Sequence, residues 1–139
     1  MTDEVKDSFK LLIEAVHLHA GPDFSGLGLI LYDHLDELDY MKLFDHQDLT
    51  LPVKGWHNVL SVLLTISKGS HPFHDGFHAI DSSGNLTHVS LYLAPPISSH
   101  GNAEDQYGSR FHTARLTADI DGILATAVIS KNYGIKQFS

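Results

Sequence analysis

The sequence contains no cysteine, which excludes disulfide frameworks, thiolate metal sites and cysteine nucleophiles. No apolar run approaches the roughly 20 residues of a membrane-spanning helix. The opening Met1-Thr2-Asp3-Glu4 has neither the basic region nor the apolar stretch of a secretory signal. A cytoplasmic protein with no membrane partner is therefore the expectation. Basic residues are scarce, with 9 Lys and Arg against 17 Asp and Glu and a formal net charge of −8. Nucleic-acid backbones need a basic surface, so no direct nucleic-acid partner is expected. Also missing are the Gly-x-Ser-x-Gly elbow, the Walker phosphate loop and the Gly-x-Gly-x-x-Gly fingerprint. Gly26-Leu27-Gly28 is isolated and precedes a strand rather than following one.

What is present suits a single domain over residues 1–139, long enough to bury most of its unfolded surface. Val5, Phe9, Leu12, Ile13 and Val16 share one helical face and predict an amphipathic helix from about Asp3 to His19, stopped by Gly21-Pro22. His17 and His19 at its end read as structural or merely exposed. The short continuous run Leu27-Gly28-Leu29-Ile30-Leu31-Tyr32 reads as a strand buried on both faces. Asp33 to Asp48 has a weak helical tendency, and Leu49 to Val53 fits a short edge strand, where Pro52 is tolerated. Trp56, Val59, Leu60, Leu63, Leu64 and Ile66 give a second helix with a broad apolar face. Gly76 to Ile80 and Leu86 to Leu93 form a hairpin around Asp81 to Asn85. Residues 97–108 form a long polar loop. A third helix is predicted from Ser109, as its N-cap, to about Ile120, with Gly122 just past its end. Ile123 to Ser130 and a segment ending near Phe138 are strands joined by a turn at Lys131 to Gly134. Helices mixed with buried and hairpin strands indicate an α/β (α+β) fold, a mixed β-sheet flanked by helices.

Two constellations carry chemistry. Ser70-His71-Pro72-Phe73-His74-Asp75-Gly76-Phe77-His78 places three imidazoles and a carboxylate in a loop before a strand. Asp75 suits a metal ligand or base, with His74 beside it and Gly76 allowing close approach to the backbone; the competing reading is a tight polar turn. A three-histidine zinc site from His71, His74 and His78 is disfavoured, because Pro72 and Gly76 break the helix that zinc spacing needs. The second constellation is Gly108-Ser109-Arg110-Phe111-His112-Thr113-Ala114-Arg115, at the start of the third helix. Free N–H groups, the helix dipole, the Arg110 fork and the Ser109 and Thr113 hydroxyls suit a phosphate; the competing reading is an ordinary capped helix. Charge agrees with this placement. Residues 1–105 hold five Lys against fifteen Asp or Glu, net −10, whereas residues 106–139 are net +2.

Taken in order, these blocks resemble the diadenylate cyclase domain found in the DNA-integrity scanning protein and in membrane-bound cyclic di-AMP synthases. The resemblance runs from about Gly26 to the end of the sequence. Gly26 to Leu31 is similar to the family's first core strand, and Leu63 to Ile66 to its helix. Pro72-Phe73-His74-Asp75-Gly76 resembles its Asp-Gly-Ala motif, and Leu93-Ala94-Pro95-Pro96-Ile97-Ser98 its Leu-Pro-Leu-Ser segment. Gly108-Ser109-Arg110-Phe111-His112-Thr113-Ala114 resembles Gly-Thr-Arg-His-Arg-Thr-Ala, and Ile123 to Gly134 the strand and turn that follow. The resemblance implies ATP or another nucleotide as ligand, Mg²⁺ or Mn²⁺ as cofactor, and a face-to-face homodimer. In such a dimer each nucleotide's 3′-hydroxyl attacks the other's α-phosphate and pyrophosphate leaves. It further implies that Asp75 and Gly76 form the catalytic motif, that His74 and Asp75 meet the metal, and that Gly108, Ser109, Arg110, His112 and Thr113 hold the nucleotide phosphates.

The departures are chemical. Arg-His-Arg becomes Arg110-Phe111-His112, so a guanidinium and an imidazole are replaced, and each lost charge-assisted contact costs about 1.5–3 kcal/mol. The alanine of Asp-Gly-Ala becomes Phe77. The expectation is a divergent cyclase-like domain that binds ATP or a related cyclic nucleotide with weak or no cyclase activity. The alternatives are an active cyclase of the diadenylate or a related type, acting as a nucleotidyltransferase, and a non-catalytic scaffold.

Overall fold

A computed structural model describes residues 2–43, 49–95, 108–131 and 133–139. Helix α1 (Thr2–His19) leads to strand β1 (Leu27–Tyr32), then a short strand β2 (Tyr40–Lys42) and helix α2 (Trp56–Ile66). Strands β3 (Phe77–Asp81) and β4 (Leu86–Leu93) follow, then helix α3 (Ser109–Thr117) and strands β5 (Ile123–Ser130) and β6 (Gly134–Phe138). The strands make one six-stranded sheet in the order β2-β4-β3-β1-β5-β6. Only β1 and β3 pair in parallel, with Gly28 beside Phe77 and Leu31 beside Ile80. The other pairs are antiparallel. This is the mixed α+β sheet expected from the order of elements.

The centre of the sheet falls where the sequence is most continuously apolar. Five of the six β1 residues are buried, because β1 has a strand on each side and helices over both faces. On one face Leu27, Leu29 and Leu31 pack with Phe9, Ile13 and Val16 of α1 and Val59, Leu63 and Ile66 of α2. On the other, Ile30, Phe77, Ala79, Leu91 and Val128 pack beneath Ala114 of α3. Burying each such side chain contributes about 1.5–3 kcal/mol, so the period-2 alternation along β1 fixes which helix covers which face.

Three expected element boundaries differ from what is observed, besides the α3 N-cap described below. Residues 33–43 form no helix; instead Tyr40–Lys42 pairs with Leu91, Tyr92 and Leu93 at the edge of the sheet. Leu35 and Leu38 pack on the α3 side of the sheet across a tight turn, the Leu38 N–H donating to the Leu35 carbonyl at 3.1 Å, which gives this weakly periodic stretch a tertiary reason not to be a helix. Leu49 to Val53 is not a strand but touches the sheet at one bridge, Val53 with Leu86. Helix α3 ends at Thr117 rather than near Ile120, the chain continuing through a tight turn in which the Ile120 N–H donates to the Thr117 carbonyl at 3.0 Å. The polar loop at 97–107, the Pro96-Ile97-Ser98 part of the Leu-Pro-Leu-Ser match, the end of the Asp33–Asp48 stretch and Asn132 of the last turn lie outside the described residues.

Candidate functional site

The loop between α2 and β3 is shaped by its own histidines. The Phe73 N–H donates to His71 Nδ1 at 3.1 Å, and His74 Nδ1 lies 2.7 Å from the His71 carbonyl. A carbonyl can only accept, so His74 carries its proton on Nδ1. A neutral ring in this tautomer turns the Nε2 lone pair outward, and Nε2 stands 3.3 Å from Asp75 Oδ1. Two acceptors at that separation repel unless a proton or a cation sits between them. Bonds of about 2.1 Å put neighbouring donors on an octahedral ion about 3 Å apart, so this pair fits two adjacent ligands of Mg²⁺ or Mn²⁺. Among the described residues no group of three or more His, Cys, Asp or Glu converges. Any further ligands would come from phosphate oxygens or water, as hard cations at nucleotide sites commonly arrange. His78 does not join the pair: it is fully buried on β3 and its Nδ1 accepts the Ser90 N–H at 3.0 Å.

Gly76 closes the loop at φ +82, and a β-carbon there would lie 2.7 Å from the Leu91 carbonyl oxygen. No other residue type fits without displacing β4. The next residue, Phe77, is only 3% exposed. Its ring covers Gly28, where a β-carbon would come within 2.8 Å of it. A large ring on β3 thus answers a missing side chain on β1, and Phe77 lines the cavity described below.

Helix α3 supplies the opposite wall. Gly108, rather than Ser109, is the N-cap, and no side chain caps the first turn. Ser109, Arg110 and Thr113 project toward the loop while Phe111 and Ala114 are buried. The Thr126 hydroxyl anchors the helix to β5 by donating to the Ala114 carbonyl at 2.7 Å. Arg110 spans the gap: its Nη2 donates to the His74 carbonyl at 2.8 Å, and its Nη1 lies over Gly26. Burial pushes the guanidinium below its ordinary value, while Asp75 and Tyr133 pull it back up. The charged form is held by its neighbours rather than by solvent.

Ser109, Arg110, Thr113, Gly108, His74, Asp75 and Gly76 meet around one cavity of about 720 Å³. Its remaining wall is mostly apolar or aromatic, with Ser25 and Ser130 as the polar exceptions, and includes Leu43, Tyr92 and Tyr133. These three have no local motif; the β2–β4 pairing and the β5–β6 turn bring them in, and sequence reading missed them. His112 is not among the lining residues, its ring standing edge-on to Phe111 at 5.3 Å. Phe111 faces inward, edge-on to Phe138 at 5.4 Å. Arg110 is thus the only Arg or Lys lining the cavity among the described residues.

No family model matches the sequence, and no curated protein does. Solved structures share its architecture. The hypothetical membrane spanning protein from Bacillus cereus aligns with a TM-score of 0.64 and 16% identity, over 98% of this chain and 64% of its own. DacA from Staphylococcus aureus, a diadenylate cyclase solved as a double mutant, aligns with a TM-score of 0.58 and 19% identity, over 96% of this chain and 83% of its own. The chain thus spans under two thirds of the Bacillus cereus protein. At these identities the likeness shows the fold alone: this chain has a diadenylate-cyclase-like fold.

Proposed function

We propose that the cavity between the His74-Asp75-Gly76 loop and the N-terminus of α3 binds ATP or a related nucleotide, and that it turns the nucleotide over weakly or not at all. The observation that carries this reading is the meeting, in one cavity of about 720 Å³, of an imidazole–carboxylate pair with a helix N-terminus, a guanidinium and two hydroxyls. The first half suits a divalent cation and the second suits phosphate oxygens. His74 Nε2 and Asp75 Oδ1 would hold Mg²⁺ or Mn²⁺, which when bound neutralises phosphate charge. Ser109 and Thr113 would donate hydroxyl hydrogen bonds, the first-turn N–H groups of α3 would face the phosphates, and Gly76 would keep the backbone close to the ligand. Leu43, Tyr92 and Tyr133 offer a surface for a flat base or sugar.

The restriction on turnover follows from charge. Phosphoryl transfer is catalysed mainly by positioning and by cations arranged around the developing charge. Among the described residues Arg110 is the single lining Arg or Lys, and it already donates to the His74 carbonyl. Phe111 belongs to the core, and His112 faces elsewhere. Active cyclisation, the alternative, would also need a second copy to present its nucleotide across the cavity. Following pyrophosphate release from ATP with Mn²⁺ separates the two readings. We expect no sustained release; multiple turnovers abolished by Asp75→Asn would establish an active cyclase instead.

A further inference from the structure

The outer side of the α1–α2 layer carries an apolar strip that the described residues leave exposed. One face of α1 is spent on the core, with Phe9, Ile13 and Val16 fully buried. Yet Leu11 and Leu18 stand 66% and 77% exposed on the same helix. Ser8, Leu11, Ala15 and Leu18 follow one another at spacings of three, four and three, which lines them up in a single stripe. Beside this stripe runs α2, whose 11 residues include no Asp, Glu, Lys or Arg. Leu11, Leu12, Ala15, Trp56, His57 and Leu60 line a groove of about 340 Å³ between the two helices. Single exposed leucines are ordinary. Two of them in one stripe with Ala15, beside an uncharged helix and a groove, make the pattern of a helix-binding surface.

Charge narrows the occupant. Asp3, Asp7 and Glu14, all exposed, lie along the outer edge of the stripe, with Lys6 and Lys10 further round the helix. A second copy would bring this acidic edge, and a chain of net charge −8, against its own like. A basic edge would meet it favourably. We propose that the groove between α1 and α2 receives one amphipathic helix of a partner protein, apolar along one stripe and carrying Lys or Arg on the edge that faces Asp7 and Glu14. The stripe from Ser8 to Leu18 extends about 15 Å, so three turns of the partner suffice. The groove lies on the α1–α2 side of the sheet and the nucleotide cavity at the N-terminus of α3, so the two proposals stand or fall separately.

The test uses the full chain and two fluorescein-labelled, 18-residue helical peptides with leucine at the same three–four spacing. One carries Lys at the flanking positions and the other Glu. Anisotropy titration should show saturable one-to-one binding of the Lys peptide, at least tenfold tighter than the Glu peptide. The double variant Leu11→Gln/Leu18→Gln should weaken it at least tenfold with an unchanged melting temperature, since both side chains are exposed. Asp7→Lys/Glu14→Lys should reverse the preference between peptides. The proposal is overturned by an absence of saturable binding, or by binding that the leucine variants leave intact. It is equally overturned if sedimentation shows the unmodified chain dimerising through this face, with the dimer lost in Leu11→Gln/Leu18→Gln.

Discussion

Gly76 and Arg110 do most to decide whether the two halves of the site can meet. The backbone of Gly76 runs against β4 at φ +82, with the Leu91 carbonyl 2.7 Å from where a β-carbon would stand. Gly76→Ala should therefore destabilise the fold by about 1–3 kcal/mol, read as a lower urea midpoint. Gly69→Ala, whose β-carbon would find nothing nearer than 3.6 Å, should change it little. Equal effects of the two would refute the close-approach argument. Arg110 reads from sequence as a phosphate ligand on a helix end, but it is also the cross-brace between α3 and the loop through the His74 carbonyl. Arg110→Ala should cost about 1.5–3 kcal/mol in chemical unfolding, the range of a hydrogen bond from a charged donor. Arg110→Lys should not recover it, since an ammonium lacks the planar fork. Full stability in Arg110→Ala would show that the brace carries no weight. The motifs at both residues are legible because each is short and local; the bond joining them is not, because residues 36 apart meet only in the folded chain.

Strands and helices were legible in proportion to how much of their own burial they encode. β1 announces itself as a continuous apolar run, and the β3–β4 hairpin by alternation around Asp81, whose Oδ1 accepts the N–H groups of Ser83 and Asn85 at 3.0 Å. β2 is three exposed residues defined wholly by pairing with β4, so nothing in its own composition could reveal it. The β1–β4 neighbourhood makes a further prediction. Tyr32 of β1 shares a 2.7 Å hydrogen bond with Thr87 of β4. Burial raises its phenol above the ordinary value of 10.0; the Thr87 bond lowers it, and Asp81 and Tyr40 raise it. A group whose folded value is raised contributes stability that is complete below pH 10 and is lost as pH climbs through the folded value. The melting temperature of the unmodified protein should accordingly fall more steeply above pH 10 than that of Tyr32→Phe. Parallel curves would remove Tyr32 from the alkaline response.

At the scale of the whole molecule, negative charge is concentrated in residues 1–105, while among the described residues the cavity is lined by one guanidinium, Arg110, and one carboxylate, Asp75. Arg110 sits in the basic final third, so that third supplies the cation an anionic ligand would meet. The candidate cavity at α3 and the groove at α1 and α2 share no lining residue. No helix among the described residues is long and apolar enough to cross a membrane. The diadenylate-cyclase-like fold explains why the two short motifs, some 35 residues apart, end on one cavity. It does not by itself give the cavity a ligand. Calorimetric titration of ATP, GTP and cyclic dinucleotides into the full chain with Mn²⁺ supplies that answer, with Asp75→Asn and Arg110→Ala as the paired variants. Saturable one-to-one binding of ATP or a related nucleotide, weakened at least tenfold by each variant and by removal of the metal, is the expected result. No saturable heat with any of these nucleotides, or an affinity that neither variant changes, would contradict it.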